Sequence, residues 1–192
     1  KVPFIYTNLV GVQDGYEGEL VFDGQSMAFS SNGLIACGKP FEEELVIFDI
    51  DGPKIMEPKY DEVEELNNVL VYGIKEYFSR NNFKKAFIGL SGGIDSAVVA
   101  ALAVQALGKE NVTGISMPSR FSSKGSIDDA KELAHNLGIS FIMVPIEDSF
   151  KIINETLSYS FIKMNKDVTE ENIQARIRGL LLMAFSNKFN GL

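Results

Sequence analysis

Six consecutive residues, Ser91-Gly92-Gly93-Ile94-Asp95-Ser96, hold the densest chemistry in this chain. They follow a short apolar run, Ala86-Phe87-Ile88-Gly89-Leu90, and lead into an Ala/Val/Leu-rich stretch from Ser96 to Leu107 with helix-forming character. Adjacent glycines let a backbone approach an anion closely, a helix start offers unpaired N–H groups, and Ser91 and Ser96 add hydroxyl donors. The combination reads as a phosphate cradle. It has neither the Lys of G-x-x-x-x-G-K-[ST] nor the spacing of G-x-G-x-x-G, so neither of those nucleotide loops is indicated. A carboxylate beside a phosphate is repulsive unless a divalent cation lies between them, which makes Asp95 the candidate Mg²⁺ ligand. The plainer alternative is a tight Gly-Gly turn with Asp95 serving only the helix start.

The elements around this loop follow from periodicity. Val112–Met117 and Ile139–Val144 read as strands, and Ser126–Leu137 and Asp148–Leu157 as helices. Strands alternating with helices imply βαβ units, so the expected fold is a doubly wound α/β domain with a parallel sheet covered on both faces. Ligands of such sheets bind at the carboxyl ends of the strands. Upstream, Asp61 can cap an amphipathic helix with apolar positions Leu66, Leu70, Ile74 and Tyr77. Gly52-Pro53 and Pro58 mark a break before it. Residues 2 to 50 read as β-rich, with strands expected at Val2–Tyr6, Leu20–Phe22, Met27–Phe29, Leu34–Cys37 and Leu45–Ile50, and a type I′ hairpin turn at Asn32-Gly33. Such a piece needs a larger α/β layer to cover it.

Composition narrows the partners. The 192 residues carry a net charge of −8, against the clustered Lys and Arg that phosphate-backbone binding requires, so no nucleic-acid footprint is expected. No apolar stretch reaches the ~20 residues of a membrane span. One cysteine permits neither an intrachain disulfide nor a multi-cysteine zinc site and suits a reducing cytoplasm. Lys1 opens the chain without a signal-peptide pattern and Asn190-Gly191-Leu192 closes it without a finishing element, so both ends read as those of a fragment.

Ser-Gly-Gly-x-Asp-Ser after a strand resembles the pyrophosphate loop of enzymes that cleave ATP between its α and β phosphates to adenylate a substrate. Three further segments narrow the resemblance: Met117-Pro-Ser-Arg-Phe-Ser-Ser123 with Ser126-Ile-Asp-Asp-Ala130, Thr169-Glu-Glu-Asn-Ile-Gln-Ala-Arg-Ile-Arg-Gly179, and Leu182-Met-Ala-Phe-Ser-Asn-Lys-Phe189. Together they resemble the glutamine-dependent NAD+ synthetases. Gln13-Asp14, Leu20-Val-Phe-Asp-Gly24 and Phe41-Glu-Glu-Glu44 resemble the closing strands of that family's nitrilase-type glutaminase, with Gly15-Tyr-Glu-Gly18 as a small insertion. The implied organisation is residues 1–51 from the glutaminase, 52–60 as a linker and 61–192 as the N-terminal part of a Rossmann-like synthetase of the adenine-nucleotide α-hydrolase type. The link between the two regions is short for the family.

The resemblance implies ATP held by Gly89, Leu90, Ser91, Gly92, Gly93, Ile94, Asp95, Ser96 and Met117, with Mg²⁺ on Asp95. It places Asn172 at deamido-NAD, with Arg176 on the same helical face at i+4, and makes Arg120 a contact to phosphate or substrate. The bland readings are a solvated helix face for the first two and an exposed loop arginine for the third. Arg178, about 200° round the helix from Arg176, reads as a structural or subunit contact. Cys37 is expected to be a buried small apolar residue, His135 a surface residue, and Ser126 with Asp129 a capping box. Glutamine or ammonia would supply nitrogen, the family's homo-oligomers imply subunit contacts, and the fragment alone is expected to make no NAD+. Two alternatives remain: another pyrophosphate-loop enzyme, such as a GMP synthetase or a tRNA-modifying enzyme, or a nucleotide-binding module without catalysis.

Overall fold

A computed structural model describes residues 2–14 and 19–192, with Glu19 in its backbone only. The Gly15-Tyr-Glu-Gly18 insertion lies outside the described residues. The chain forms two compact units, Lys1–Arg80 and Asn81–Leu192.

In the first unit the strands are β1 (Phe4–Tyr6), β2 (Val10–Asp14), β3 (Glu19–Asp23), β4 (Met27–Ser30) and β5 (Gly33–Cys37), followed by helix α1 (Glu62–Arg80). β1, β4 and β5 form one antiparallel sheet and β2 pairs with β3 in another. The expected hairpin is present, but its pairing closes at Ser30 opposite Gly33, so Ser31 and Asn32 make the turn and Gly33 alone carries positive φ, +114°. That is not the type I′ geometry, which needs positive φ at both central residues. No strand forms over 45–50. The alternation there is real, since Val46 and Phe48 pack on Ala28, Ile35 and Ala36 while Leu45 and Ile47 are exposed, but the segment pairs with no neighbouring strand. β2 takes its place in the count of strands. Asp61 Oδ1 accepts from the N–H groups of Val63 and Glu64, both at 3.0 Å, as the cap of α1 requires. That helix packs on β2 and β3, so compact packing changes at residue 81 whereas the sequence pattern changes at 61. Its buried anchor is Phe78; Leu66 and Leu70 of the apolar stripe stay exposed.

The second unit is the doubly wound α/β domain. It runs β6 (Ala86–Gly89), α2 (Ile94–Leu107), β7 (Val112–Ser116), α3 (Lys124–Leu137), β8 (Ser140–Met143), α4 (Glu147–Leu157) and α5 (Val168–Phe189). The strands are parallel in the order β6-β7-β8. Alternation along the strands separates two faces. One carries Phe87 and Ile115, and there Ile115, Met117, Ile146, Phe150 and Ile177 form a core with α4 and α5. On the other, α2 and α3 pack through the buried alanines Ala100, Ala103, Ala130 and Ala134. Gly114 faces this second layer, where an added Cβ would collide with the Leu90 side chain.

On the edge of β6 away from β7, Leu192 N donates to Lys85 O at 2.8 Å and Phe87 N donates to Leu192 O at 2.7 Å. The chain therefore passes from β6 through β7 to β8 in one direction and pairs on the opposite side of β6 after α5. Such a reversal opens a crevice at the carboxyl end of the strand where it occurs. No helix among the described residues is long and apolar enough to cross a membrane.

Ile115 is fully buried at the centre of the α4/α5 face. Ile115→Ala should lower unfolding stability by about 2–5 kcal/mol in urea titrations. A loss below about 1 kcal/mol would mean that this face is not the folding core of the second unit.

Candidate functional site

The carboxyl ends of β6 and β7 open into a cavity of about 420 Å³. Gly89, Leu90 and Ser91 line it from the end of β6, Ser116, Met117 and Pro118 from the end of β7, Ser122, Ser126 and Ile127 from the approach to α3, and Arg178 and Leu182 from α5. Gly89 keeps the wall thin: a Cβ there would lie 3.3 Å from Met117 Cε and 3.4 Å from Leu182 Cδ1.

The loop after β6 is bound into itself by hydroxyls. Gly93 N donates to Ser91 Oγ at 3.1 Å, Ser91 N to Ser96 Oγ at 3.3 Å, and Ser96 Oγ to Gly93 O at 2.9 Å; the two serine oxygens lie 3.2 Å apart. Gly93 is the N-cap of α2 and has no side chain to satisfy the first-turn N–H groups, leaving them available to an anion. Gly92 has φ +81°, and a Cβ on it would stand 2.7 Å from Ser126 Cα, so the position excludes side chains on two grounds. The start of α3 is thereby pressed against the loop. Its cap is Ser123, whose Oγ accepts from Ser126 N at 3.0 Å, and the two hydroxyls are 2.6 Å apart. The capping box expected at Ser126 and Asp129 does not form, because the N-cap falls three residues earlier at Ser123, and Ser126 lines the cavity instead.

Of the residues singled out from sequence, Gly89, Leu90, Ser91 and Met117 line the cavity, and Gly92, Gly93, Ile94, Asp95 and Ser96 form the loop and first helical turn that follow directly. Asp95 is exposed in that first turn. Among the described residues no cluster of three or more His, Cys, Asp or Glu side chains is placed to hold a metal, so a cation there would depend on one carboxylate plus ligand and water oxygens.

The remaining candidates sit elsewhere. Arg120 is exposed and committed to Glu147: its Nε donates to Oε1 at 2.6 Å and its backbone N to Oε2 at 3.0 Å, with a second guanidinium contact to Oε1. The hydrogen bonds from Arg120 hold the Glu147 carboxyl below its ordinary pKa, and the same pairing raises that of the guanidinium. The pair ties the loop after β7 to the start of α4 beside a separate hollow lined by Phe121, Phe150 and Lys151. Asn172 and Arg176 border a shallow apolar groove with Ile153, Ile173, Ile177 and Leu180, not the cavity.

Arg178, expected as a structural or subunit contact, makes a structural one and in addition lines the cavity. The angle from Arg176 was informative, but it is Arg178 that reaches the cavity, with Nε donating to Met117 O at 3.1 Å. Burial lowers its pKa, yet a guanidinium stays charged at neutral pH. Ser122 and Pro118 were also missed as lining residues, although both fall in the segment from Met117 to Ser123. Cys37 is free and half-buried, and its thiol is pushed up by burial and by Glu44; His135 is exposed.

A doubly wound α/β unit with a glycine loop and an uncapped helix start at a strand-order reversal is the architecture in which helix N–H groups can receive an anion. The chain belongs to the NAD synthase family, whose model matches residues 66–192. It is 42% identical to a glutamine-dependent NAD(+) synthetase of Thermotoga maritima over all of this chain and 39% of that protein. A glutamine-dependent NAD(+) synthetase of Synechocystis sp. is 45% identical, again over all of this chain and 35% of the relative. Among solved structures, the glutamine-dependent NAD+ synthetase from Acinetobacter baumannii in complex with ADP superposes with a TM-score of 0.92 at 38% identity, over 100% of this chain and 37% of that one. The chain thus spans between 35% and 39% of the length of these relatives.

A carboxyl group depressed by a partner contributes stabilisation that is present above its unfolded pKa and is lost as pH falls through the folded one. The Glu147 tie should accordingly persist through the ordinary carboxylate range and open only below it. An NMR titration of the Glu147 carboxyl should give a lower midpoint in the wild-type chain than in Arg120→Ala. Equal midpoints would show that the pair does not form in solution.

Proposed function

We propose that the intact protein is a glutamine-dependent NAD+ synthetase, a ligase that amidates deamido-NAD to NAD+ through an adenylated intermediate. The observation that carries this reading is the cavity at the ends of β6 and β7, in a chain whose residues 66–192 match the NAD synthase family. The Acinetobacter baumannii relative was solved in complex with ADP, which supports nucleotide binding in this family. In this reading residues 1–51 close the glutaminase that releases ammonia from glutamine, residues 52–60 link, and residues 61–192 begin the synthetase. The protein works as a homo-oligomer in the cytoplasm.

The carboxylate of the nicotinate ring attacks the α-phosphorus of ATP, pyrophosphate leaves, and an acyl adenylate forms. Ammonia then adds at the activated carbonyl, loses a proton and expels AMP, leaving the amide. Catalysis of the first step is positioning and neutralisation of charge on the phosphates. The first turn of α2 offers N–H groups, and the Gly93 N–H and the Ser91 and Ser96 hydroxyls become available once their mutual bonds break. Arg178 brings a positive charge to the cavity wall, and the backbone of Gly89 and the side chains of Leu90 and Met117 leave an apolar slot for a base. Asp95 would hold Mg²⁺ together with phosphate oxygens, the ion supplying charge neutralisation. Asn172 and Arg176, exposed on α5, contact deamido-NAD. Arg120 reaches substrate only by giving up Glu147.

The reading is tested by ATP–pyrophosphate exchange in the intact protein. Exchange that requires deamido-NAD supports it, and exchange with another acceptor, or none, overturns it. Asp95→Asn should weaken ATP binding about tenfold in the presence of Mg²⁺ and little in its absence, as removal of a metal-site carboxylate does. Unchanged Mg²⁺ dependence in calorimetric titrations would remove Asp95 from the metal site. Asn172→Ala and Arg176→Ala should weaken deamido-NAD more than ATP in separate titrations of the intact protein. Equal losses would mean that the α5 groove has a structural role.

A further inference from the structure

Besides the Arg120–Glu147 pair, which holds the turn from the α4 side, the segment after β7 is tied at Met117, Pro118 and Ser119. Arg178 Nε donates to Met117 O at 3.1 Å, Ile146 N donates to Pro118 O at 2.9 Å, and Ser119 Oγ donates to Gln174 Oε1 at 2.8 Å. The last of these ties differs from the other two because it leads into the turn that follows. Ser119 Oγ accepts from Phe121 N at 3.3 Å, Ser119 N donates to Ser122 Oγ at 3.1 Å, and Ser122 N donates to Ser119 O at 3.0 Å. Ser122 in turn lines the cavity.

Gln174 is 8% exposed, between the core-facing residues Ile173 and Ile177 on a helix. A buried amide is costly there without a partner, and its other hydrogen bond, Nε2 to Glu170 O, is long at 3.5 Å. It stands one turn before Arg178, so α5 presents both side chains to the same segment.

We propose that Gln174 is a positioning residue for the nucleotide cavity, fixing Ser119 and through it the Ser119–Ser122 turn that forms one wall. This rests on the reading that the cavity takes a nucleotide. The test is made on the intact protein, with ADP as the probe. Hydrogen exchange of the turn amides and calorimetric ADP titration would be compared in wild type, Gln174→Met, Ser119→Ala, Ser119→Thr and the Gln174→Met/Ser119→Ala pair.

Gln174→Met and Ser119→Ala should each weaken ADP about fivefold, the size expected for one buried hydrogen bond, and should speed exchange in the turn while leaving the core amides of α5 protected. The double variant should be no weaker than either single one, and Ser119→Thr, which keeps the hydroxyl, should restore wild-type affinity. ADP bound equally by wild type and Gln174→Met overturns the inference alone. So do additive losses in the pair, which would mean that Gln174 acts by packing. A wild-type chain that fails to bind ADP while Gln174→Met still loosens the turn overturns the nucleotide reading and leaves only the structural tie.

Discussion

Gly92 lies against the backbone of Ser126, with φ +81° and no room for a side chain, and the geometry of the cavity depends on that contact. It brings the uncapped start of α2 and the serine-capped start of α3 together over the ends of β6 and β7. Each helix start alone offers N–H groups and a partial positive charge. Held together, they share one polar space instead of two exposed ends. Any side chain at position 92 would push α3 away and draw Ser126 out of the cavity wall. The loop has a further property: Ser91, Gly93 and Ser96 are already hydrogen-bonded to one another. A phosphate would exchange those bonds for its own, so the net gain per hydroxyl is modest and the backbone N–H groups of α2 carry more of the recognition.

The sheet makes that contact possible by keeping its edges close. Parallel strands with helices on both faces bury their apolar residues in two layers, and glycines thin the sheet where those layers approach. Gly114 accommodates Leu90 on the α2/α3 side, and Gly89 accommodates Met117 and Leu182 on the α5 side. Gly89 is the last residue of β6, where the cavity opens, and Gly114 is at the middle of β7. The pairing of Leu192 on the free edge of β6 adds the strand-order reversal, so the loop after β6 occupies the crevice instead of an outer edge.

Much of this was legible in the sequence because it depends on local pattern. The change from amphipathic helix to βαβ alternation, the glycine loop and the start of α2 are all encoded within a few residues. What failed needed tertiary information. β2 contains Gly11 and ends in Gln13 and Asp14, so it shows no apolar run, and its strand character comes from pairing with β3. Residues 45–50 alternate like a strand, yet Val46 and Phe48 pack on the sheet without a ladder, and alternation cannot distinguish the two. Ser126 and Ser123 both satisfied capping rules, and only the backbone geometry chose Ser123. For α5 the helical phase separated Arg176 from Arg178 correctly, but phase says nothing about which face meets the site.

The placement of charge then constrains how a polyphosphate could be held. Among the described residues lining the cavity, Arg178 is the one charged side chain, and it is already partly desolvated and shared with Met117 O. Arg120, the other arginine near the loop after β7, has its charge spent on Glu147. The chain as a whole is acidic at −8, so long-range attraction offers no help. One guanidinium and two helix starts leave most of the charge of a nucleoside triphosphate uncompensated. In the proposed function, a cation carried by the phosphates would let the exposed carboxylate of Asp95 in the first turn of α2 stand beside them without repulsion.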